Sequence, residues 1–123
     1  MIGLFDSGVG GLSILLALRE QLPGTSLVYV ADSAWFPYGQ RRPAEIRERA
    51  RQITRFLTHE GARLIVVACN SASNAAIVSL RARADHVTAD LLLADLRDLG
   101  PAVARCRRLL DLDADPEAVD DAL

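Results

Sequence analysis

Leu64-Ile65-Val66-Val67-Ala68-Cys69-Asn70-Ser71 decides the fold class, because five apolar residues end at a cysteine that small and polar residues follow. Such an unbroken apolar run is typical of a strand buried on both faces, as in a parallel sheet. The segment from Ser71 to about Ala82 then predicts a helix. Cys69 would lie where free amides and the helix dipole stabilise a thiolate and attract carboxylates. The alternative is a small buried hydrophobic residue, which is what most cysteines are.

The amino end has the same arrangement of an apolar strand, a polar turn and a helix. Residues 1–5 are apolar, and Asp6-Ser7-Gly8-Val9-Gly10-Gly11 separates them from a helix over about residues 10–22. The glycines allow a tight turn that brings backbone amides close to an anion. Asp6 and Ser7 stand at the strand end, where open α/β sheets bind ligands. The alternative is a glycine turn that only connects the strand to the helix.

The remaining pattern repeats the alternation of strand and helix. Residues 26–32 predict a second strand, and Pro43 and Gly61 suit the two ends of a second helix before the strand that ends at Cys69. This order predicts parallel βαβ units with right-handed crossovers. We therefore expect an α/β fold with a short, mainly parallel sheet in three layers.

Composition excludes several classes of protein. The chain has 123 residues and a net charge of −2, which favours neither nucleic acid nor a membrane surface as a partner. It has no apolar run long enough to span a bilayer, and its start lacks a basic signal-peptide region. Cys69 and Cys106 have no metal-ligand spacing, so we expect no metal site. A reduced, cytoplasmic protein is the default expectation.

The net charge of the whole chain conceals a change from a basic to an acidic part near residue 84. Residues 1–84 carry ten arginines and six acidic residues, and residues 85–123 carry four arginines and ten acidic residues. We therefore predict an incomplete α/β domain over 1–84 and an unrelated, mainly helical, acidic tail over 85–123. Residues 86–93 alternate poorly and could form a strand or the start of a helix.

Three separated motifs resemble the glutamate racemases, in the order and at the approximate spacing of that family. The resemblance covers about residues 1–83 and is specific. The motifs read Ile2-Gly3-Leu4-Phe5-Asp6-Ser7-Gly8-Val9-Gly10-Gly11-Leu12, then Ala31-Asp32-Ser33 with Phe36-Pro37-Tyr38-Gly39, then Val66-Val67-Ala68-Cys69-Asn70-Ser71-Ala72-Ser73.

The resemblance implies half of a two-domain isomerase that interconverts L- and D-glutamate without a cofactor and supplies D-glutamate for peptidoglycan. In that family two cysteines face each other across the substrate, and Cys69 matches the first. The resemblance assigns Asp6 and Ser7 to the loop that supports this thiol and contacts substrate. It also assigns substrate contacts to the residues that match the remaining motif positions. These are Tyr38 and Gly39, through their backbone, and Asn70 and Ser71, where the family usually has threonine in place of Ser71.

The tail does not continue this resemblance. About residues 86–123 resemble a segment of bacterial 3-methyladenine DNA glycosylase, without its helix-hairpin-helix or catalytic aspartate. A racemase would continue with another strand and then a second lobe with the second cysteine, and we recognise neither here. We therefore suspect a join near residues 83–86 and expect the chain alone to be inactive. An open sheet edge and the missing lobe would favour self-association.

Two other functions compete with this interpretation. Gly8-x-Gly10 after a strand, with Asp32 ending the next one, is a partial dinucleotide-binding fingerprint, but Ser13 occupies the third glycine position. A non-catalytic fusion fragment would share the racemase ancestry and differ only in activity. Cys106 lies in an arginine-rich helical segment, and we expect a structural role for it rather than that of the second catalytic thiol.

Overall fold

The computed structural model describes residues 1–87, 92–95, 100 and 104, and the side chains of residues 1–82, 100 and 104. Within them, strands and helices alternate as predicted. The strands are β1 (Ile2–Asp6), β2 (Leu27–Ala31), β3 (Leu64–Val67) and β4 (Leu92–Asp95), the helices are α1 (Leu12–Gln21), α2 (Pro43–His59) and α3 (Asn70–Val87), and two 3₁₀ turns span Ser33–Trp35 and Tyr38–Gln40.

The four strands form one parallel sheet in the order β2-β1-β3-β4. Ile2 in β1 is in register with Leu27 on one side and Leu64 on the other. Because each parallel neighbour is reached through a helix, all four strands end at the same edge of the sheet. The prediction of an α/β fold with a mainly parallel sheet is confirmed.

The core lies on both faces of the sheet, which gives the predicted three layers. Every residue of β1 and β3 is buried. Successive side chains point to opposite faces. One face packs against α2 and α3 through residues such as Phe5, Ile65 and Leu57, and the other packs against α1 through residues such as Leu4 and Leu18. Burial on both faces explains why these strands are apolar without interruption.

The boundaries of α2 follow from its sequence. Pro43 occupies the first helical position, where its missing N–H costs nothing. The Arg42 N–H donates to Glu45 Oε2 at 3.1 Å, so a first-turn side chain satisfies the backbone just before the helix. Gly61, just past the end, has a φ of +98°, in the left-handed region that favours glycine.

The segment after α3 requires one correction. We expected no further racemase strand, but β4 continues the sheet, with Leu64 in register with Leu92. β3 is therefore an interior strand and not the open edge that the sequence suggested. The suspected join at residues 83–86 lies inside α3, which extends to Val87. The division into 1–84 and 85–123 stays a prediction. The helical nature of the tail also stays one, because most of the tail lies outside the described residues.

None of the helices in the described part of the chain is both long and apolar enough to cross a membrane.

Candidate active site

The candidate site lies at the edge of the sheet where the parallel strands end. Asp6 is the last residue of β1, and Cys69 follows β3 by two residues. These strands are neighbours, and the Ala68 N–H still donates to the Phe5 carbonyl at 2.9 Å. The loop that follows Asp6 and the turn that contains Cys69 therefore lie side by side, as the sequence predicted.

The Asp6 carboxylate organises the glycine loop from within. It is 7% exposed, its Oδ1 accepts the Ser7 N–H at 2.7 Å, and its Oδ2 accepts the Gly11 N–H at 2.7 Å. A Cβ at Gly11 would lie 3.0 Å from both the Ala68 Cβ and the Tyr29 ring, so the loop packs too closely for a side chain there. Asp6 thus holds the loop against the strand end.

Ser7 connects this loop to the cysteine. The Cys69 thiol donates to Ser7 Oγ at 3.5 Å, and the Ser7 hydroxyl lies 3.4 Å from Asp6 Oδ1. The Cys69 carbonyl accepts the Ser73 N–H at 2.9 Å in the first turn of α3. Cys69 is 6% exposed, so it is more buried than a residue at the mouth of a cleft would be. Three residues predicted for the site, namely Asp6, Ser7 and Cys69, are therefore brought together.

The Tyr38 side chain faces the protein interior. It is 1% exposed, and its hydroxyl donates to Asp32 Oδ2 at 2.5 Å. Burial and the Asp32 carboxylate raise the pKa of Tyr38 far above its usual value. A Cβ at Gly39 would lie 3.7 Å from Ser71 Oγ, so this loop reaches the amino end of α3, where Asn70 is exposed. Tyr38 is buried and Gly39 is exposed, so the substrate contacts that the resemblance assigned to these two residues stay a prediction.

Asp32 and Arg49 form an ion pair that the sequence analysis missed. The Arg49 guanidinium donates to both oxygens of Asp32, at 2.8 Å and 2.6 Å. These hydrogen bonds lower the pKa of Asp32 and raise that of Arg49. The available signal was an aspartate at a strand end, which the sequence analysis interprets only as part of a partial dinucleotide-binding fingerprint. Arg49 and Tyr38 both bind this carboxylate, and the dinucleotide interpretation stays an alternative.

Tyr29 is a second residue that the sequence analysis missed. Its hydroxyl donates to the Gly8 carbonyl at 3.0 Å, across 21 positions of sequence. Burial, together with the charge of Asp6, raises the pKa of Tyr29. Tyr29 therefore fixes the far side of the loop that Asp6 holds from within. No signal in the sequence marks it, because tyrosine is common in strands.

Residues 1–87 and 92–95, with 100 and 104, contain no group of three histidine, cysteine or acidic side chains placed to hold a metal ion. Cys106 and His86 lie outside the residues whose side chains are described. The imidazole of His59 is 89% exposed and lies 3.9 Å from Glu60, and we assign it no role in the site.

Together, the fold and the site define an α/β domain in which a parallel sheet brings a thiol, a hydroxyl and a carboxylate to its carboxyl edge. Comparison with known proteins extends this description. The glutamate racemase of Stutzerimonas stutzeri is 54% identical over 80 residues, which are 65% of this chain and 30% of that protein. A family model described as the AlkA N-terminal domain matches residues 45–123.

Solved structures give the same result for the fold. The Aquifex pyrophilus glutamate racemase matches with a TM-score of 0.70 and 37% identity over 76% of this chain and 35% of that one. An Escherichia coli glutamate racemase in complex with L-glutamate and the activator UDP-MurNAc-ala matches with a TM-score of 0.67 and 36% identity over 76% of this chain and 34% of that one. The chain thus spans about a third of the length of the racemases it matches.

The chain belongs to the AlkA N-terminal domain family over residues 45–123, and its amino-terminal part is similar to glutamate racemase in sequence and in fold. Both resemblances noted in the sequence are therefore confirmed. The two matches overlap. Most of α2 and all of β3 lie within the range of the family model, while β3 pairs with β1 and α2 packs against the same sheet.

Proposed function

We propose that this chain carries the first half of a glutamate racemase site, in which Cys69 exchanges a proton with one face of the substrate α-carbon. The observation that carries the proposal is the contact between the Cys69 thiol and Ser7 Oγ at 3.5 Å, across 62 positions of sequence. The similarity to curated racemases, which are isomerases, supports the same conclusion. A cysteine that only fills the core would need neither the Ser7 hydroxyl nor the Asp6 carboxylate beside it.

The chemistry requires an acid and a base on opposite faces of the α-carbon. A thiol suits both roles, because its unperturbed pKa of about 8.5 is close to neutrality. Cys69 removes or returns the α-proton on one face, and Ser7 orients the thiol by accepting its hydrogen bond. The backbone of Tyr38 and Gly39, with Ser71 and the first amides of α3, would bind the substrate carboxylates. No cofactor enters this scheme.

We propose that L-glutamate and D-glutamate are the ligands, since the similar Escherichia coli enzyme is described in complex with L-glutamate. The 123-residue chain spans about a third of such enzymes, and the group for the second face has no counterpart among the side chains described. The chain alone should therefore bind glutamate weakly and not racemise it. Peptidoglycan synthesis would be the use of this activity in a complete enzyme. Neither nucleic acid nor a membrane has a part in it.

Amide NMR spectra of the 123-residue chain test the binding. Titration with L-glutamate should shift the amides of Ser7, Gly39 and Ser71, and Cys69→Ser should retain most of this effect because the carboxylate contacts remain. Glutarate, the dicarboxylate of the same length without an α-amino group, should bind more weakly. Spectra that do not respond to glutamate would refute the proposal and favour a non-catalytic fragment.

A coupled assay for D-glutamate at high protein concentration tests the catalytic expectation. The signal should stay at background, because one thiol serves only one face. Turnover that Cys69→Ala abolishes would contradict this expectation, and would mean that a second copy or another chain supplies the opposite acid.

A further inference from the structure

Three segments of the chain meet at the Asp32 carboxylate. Asp32 follows β2, and its N–H donates to the Asp6 carbonyl at 2.9 Å, so it stands next to the strand end that bears the site. Arg49 reaches it from α2 with two hydrogen bonds, at 2.8 Å and 2.6 Å, and Tyr38 reaches it from the loop at 2.5 Å. The Asp32 side chain is 4% exposed, so the charge is removed from water and held by these donors.

Other contacts also hold the loop that carries Tyr38. Its outer side is held by Arg41, whose Nε donates to the Trp35 carbonyl at 3.0 Å and whose guanidinium lies 4.1 Å from the Trp35 ring centroid. Its inner side places Gly39 against Ser71, at the amino end of α3. Tyr38 also packs in the same core cluster as Cys69. The buried side chain of Tyr38 thus anchors this loop between Asp32 and the core cluster that contains Cys69.

We propose that Arg49 is a positioning residue: through Asp32 it holds Tyr38, and it thereby sets the Tyr38-Gly39 backbone opposite Cys69 and Ser71. This inference rests on the proposed function for its consequence, which is the affinity for glutamate. Arginine is required because its planar fork binds both carboxylate oxygens at once, whereas lysine would bind as a single charge. The Arg49 guanidinium is already engaged by both oxygens of Asp32, so we assign Arg49 no direct contact with a ligand.

Glutamate titrations of three variants test the inference in the full 123-residue chain. Arg49→Ala should weaken the affinity measured from the Ser7 and Gly39 amides by about tenfold, because misplaced contacts lose most of their effect. Arg49→Lys should weaken it less. Arg55→Ala is the matched control, an exposed arginine on the same helix, and should bind glutamate like the unaltered chain.

A purely stabilising role predicts a different result. If Arg49 only stabilises the fold, Arg49→Ala should have a lower melting temperature. Its affinity for glutamate should be unchanged at temperatures where circular dichroism shows that the variant is folded. Wild-type affinity in folded Arg49→Ala therefore overturns the inference. If Arg49→Ala does not fold, wild-type affinity in folded Arg49→Lys overturns it equally.

Spectra without ligand separate this inference from the proposed function. If the unaltered chain does not bind glutamate, the proposed function fails, and the position of the loop is still measurable. The amides of Gly39 and Ser71 should then shift in Arg49→Lys and stay in place in Arg55→Ala. Unchanged Gly39 and Ser71 amides in Arg49→Lys would overturn the inference.

Discussion

The buried Asp32 carboxylate contributes to the stability of the fold, and this contribution depends on pH. The Arg49 guanidinium lowers the pKa of this carboxylate from the ordinary value of 3.8. Because the folded pKa is lower than the unfolded one, the carboxylate stabilises the fold fully above the unfolded pKa. This contribution is lost as the pH falls through the lower folded pKa.

The pH dependence of stability measures this contribution. Asp32→Asn should lower the free energy of unfolding by about 2 kcal/mol at pH 7, because Arg49 loses its charged partner. The difference between the unaltered chain and Asp32→Asn should stay constant from about pH 7 to pH 5 and shrink below about pH 4. Urea unfolding at several pH values gives both quantities. Glu20→Gln, an exposed carboxylate on α1, is the control, and an equal pH effect there would contradict the assignment.

The α2 helix links the core to the candidate site. Its buried face contacts the sheet through Ile46, Ala50, Ile53 and Leu57, and the same helix supplies Arg49. Thr54 interrupts this apolar face. Its hydroxyl is buried and has no hydrogen-bond partner within the described part of the chain. A buried hydroxyl of this kind costs free energy relative to a methyl group of the same shape.

Replacement of that hydroxyl should stabilise the helix packing. Thr54→Val keeps the branched shape and should raise the free energy of unfolding by about 1 kcal/mol. Thr58→Val is the matched control on the same helix. The Thr58 hydroxyl donates to the Thr54 carbonyl at 2.8 Å, so its loss should not stabilise the chain. A destabilised Thr54→Val in thermal unfolding would mean that this hydroxyl does have a partner.

At the scale of the whole molecule, β4 joins a segment with AlkA resemblance to a racemase-like sheet. It lies at the edge of the sheet, in parallel register with β3 from Leu92 to Asp95. Because successive residues of a strand point their N–H groups to opposite sides, only alternate amides of an edge strand face its neighbour. Proline is tolerated where the amide faces away and not where it pairs.

This alternation gives a test of the whole sheet. Of Leu93→Pro and Ala94→Pro, one should lower the melting temperature strongly and the other only slightly, because one removes a ladder hydrogen bond with β3. Equal and small effects in thermal unfolding would mean that β4 does not pair in solution. Equal and large effects would indicate strain from proline itself and not the loss of a specific bond.

Self-association of this chain stays a prediction. The sequence analysis based it on an open sheet edge and a missing lobe, whereas the structure supports it through exposed apolar side chains. Among the described side chains, Val9, Leu16 and Phe36 are 66%, 58% and 63% exposed. An exposed apolar patch formed by such side chains would favour contacts between molecules. Sedimentation velocity should show a mass that rises with concentration. A single monomer over a hundredfold range of concentration would contradict it.

The sequence by itself determined the parallel α/β class, because uninterrupted apolar runs mark strands that are buried on both faces. Its resemblance to the glutamate racemases implied that Asp6 and Ser7 lie beside Cys69. The tertiary structure alone decided that Arg49 reaches Asp32 and Tyr38, that Tyr29 holds the glycine loop, and that residues 92–95 complete the sheet. The rotation of a helix and the pairing of a four-residue strand depend on their neighbours, because so short a segment has no stability of its own.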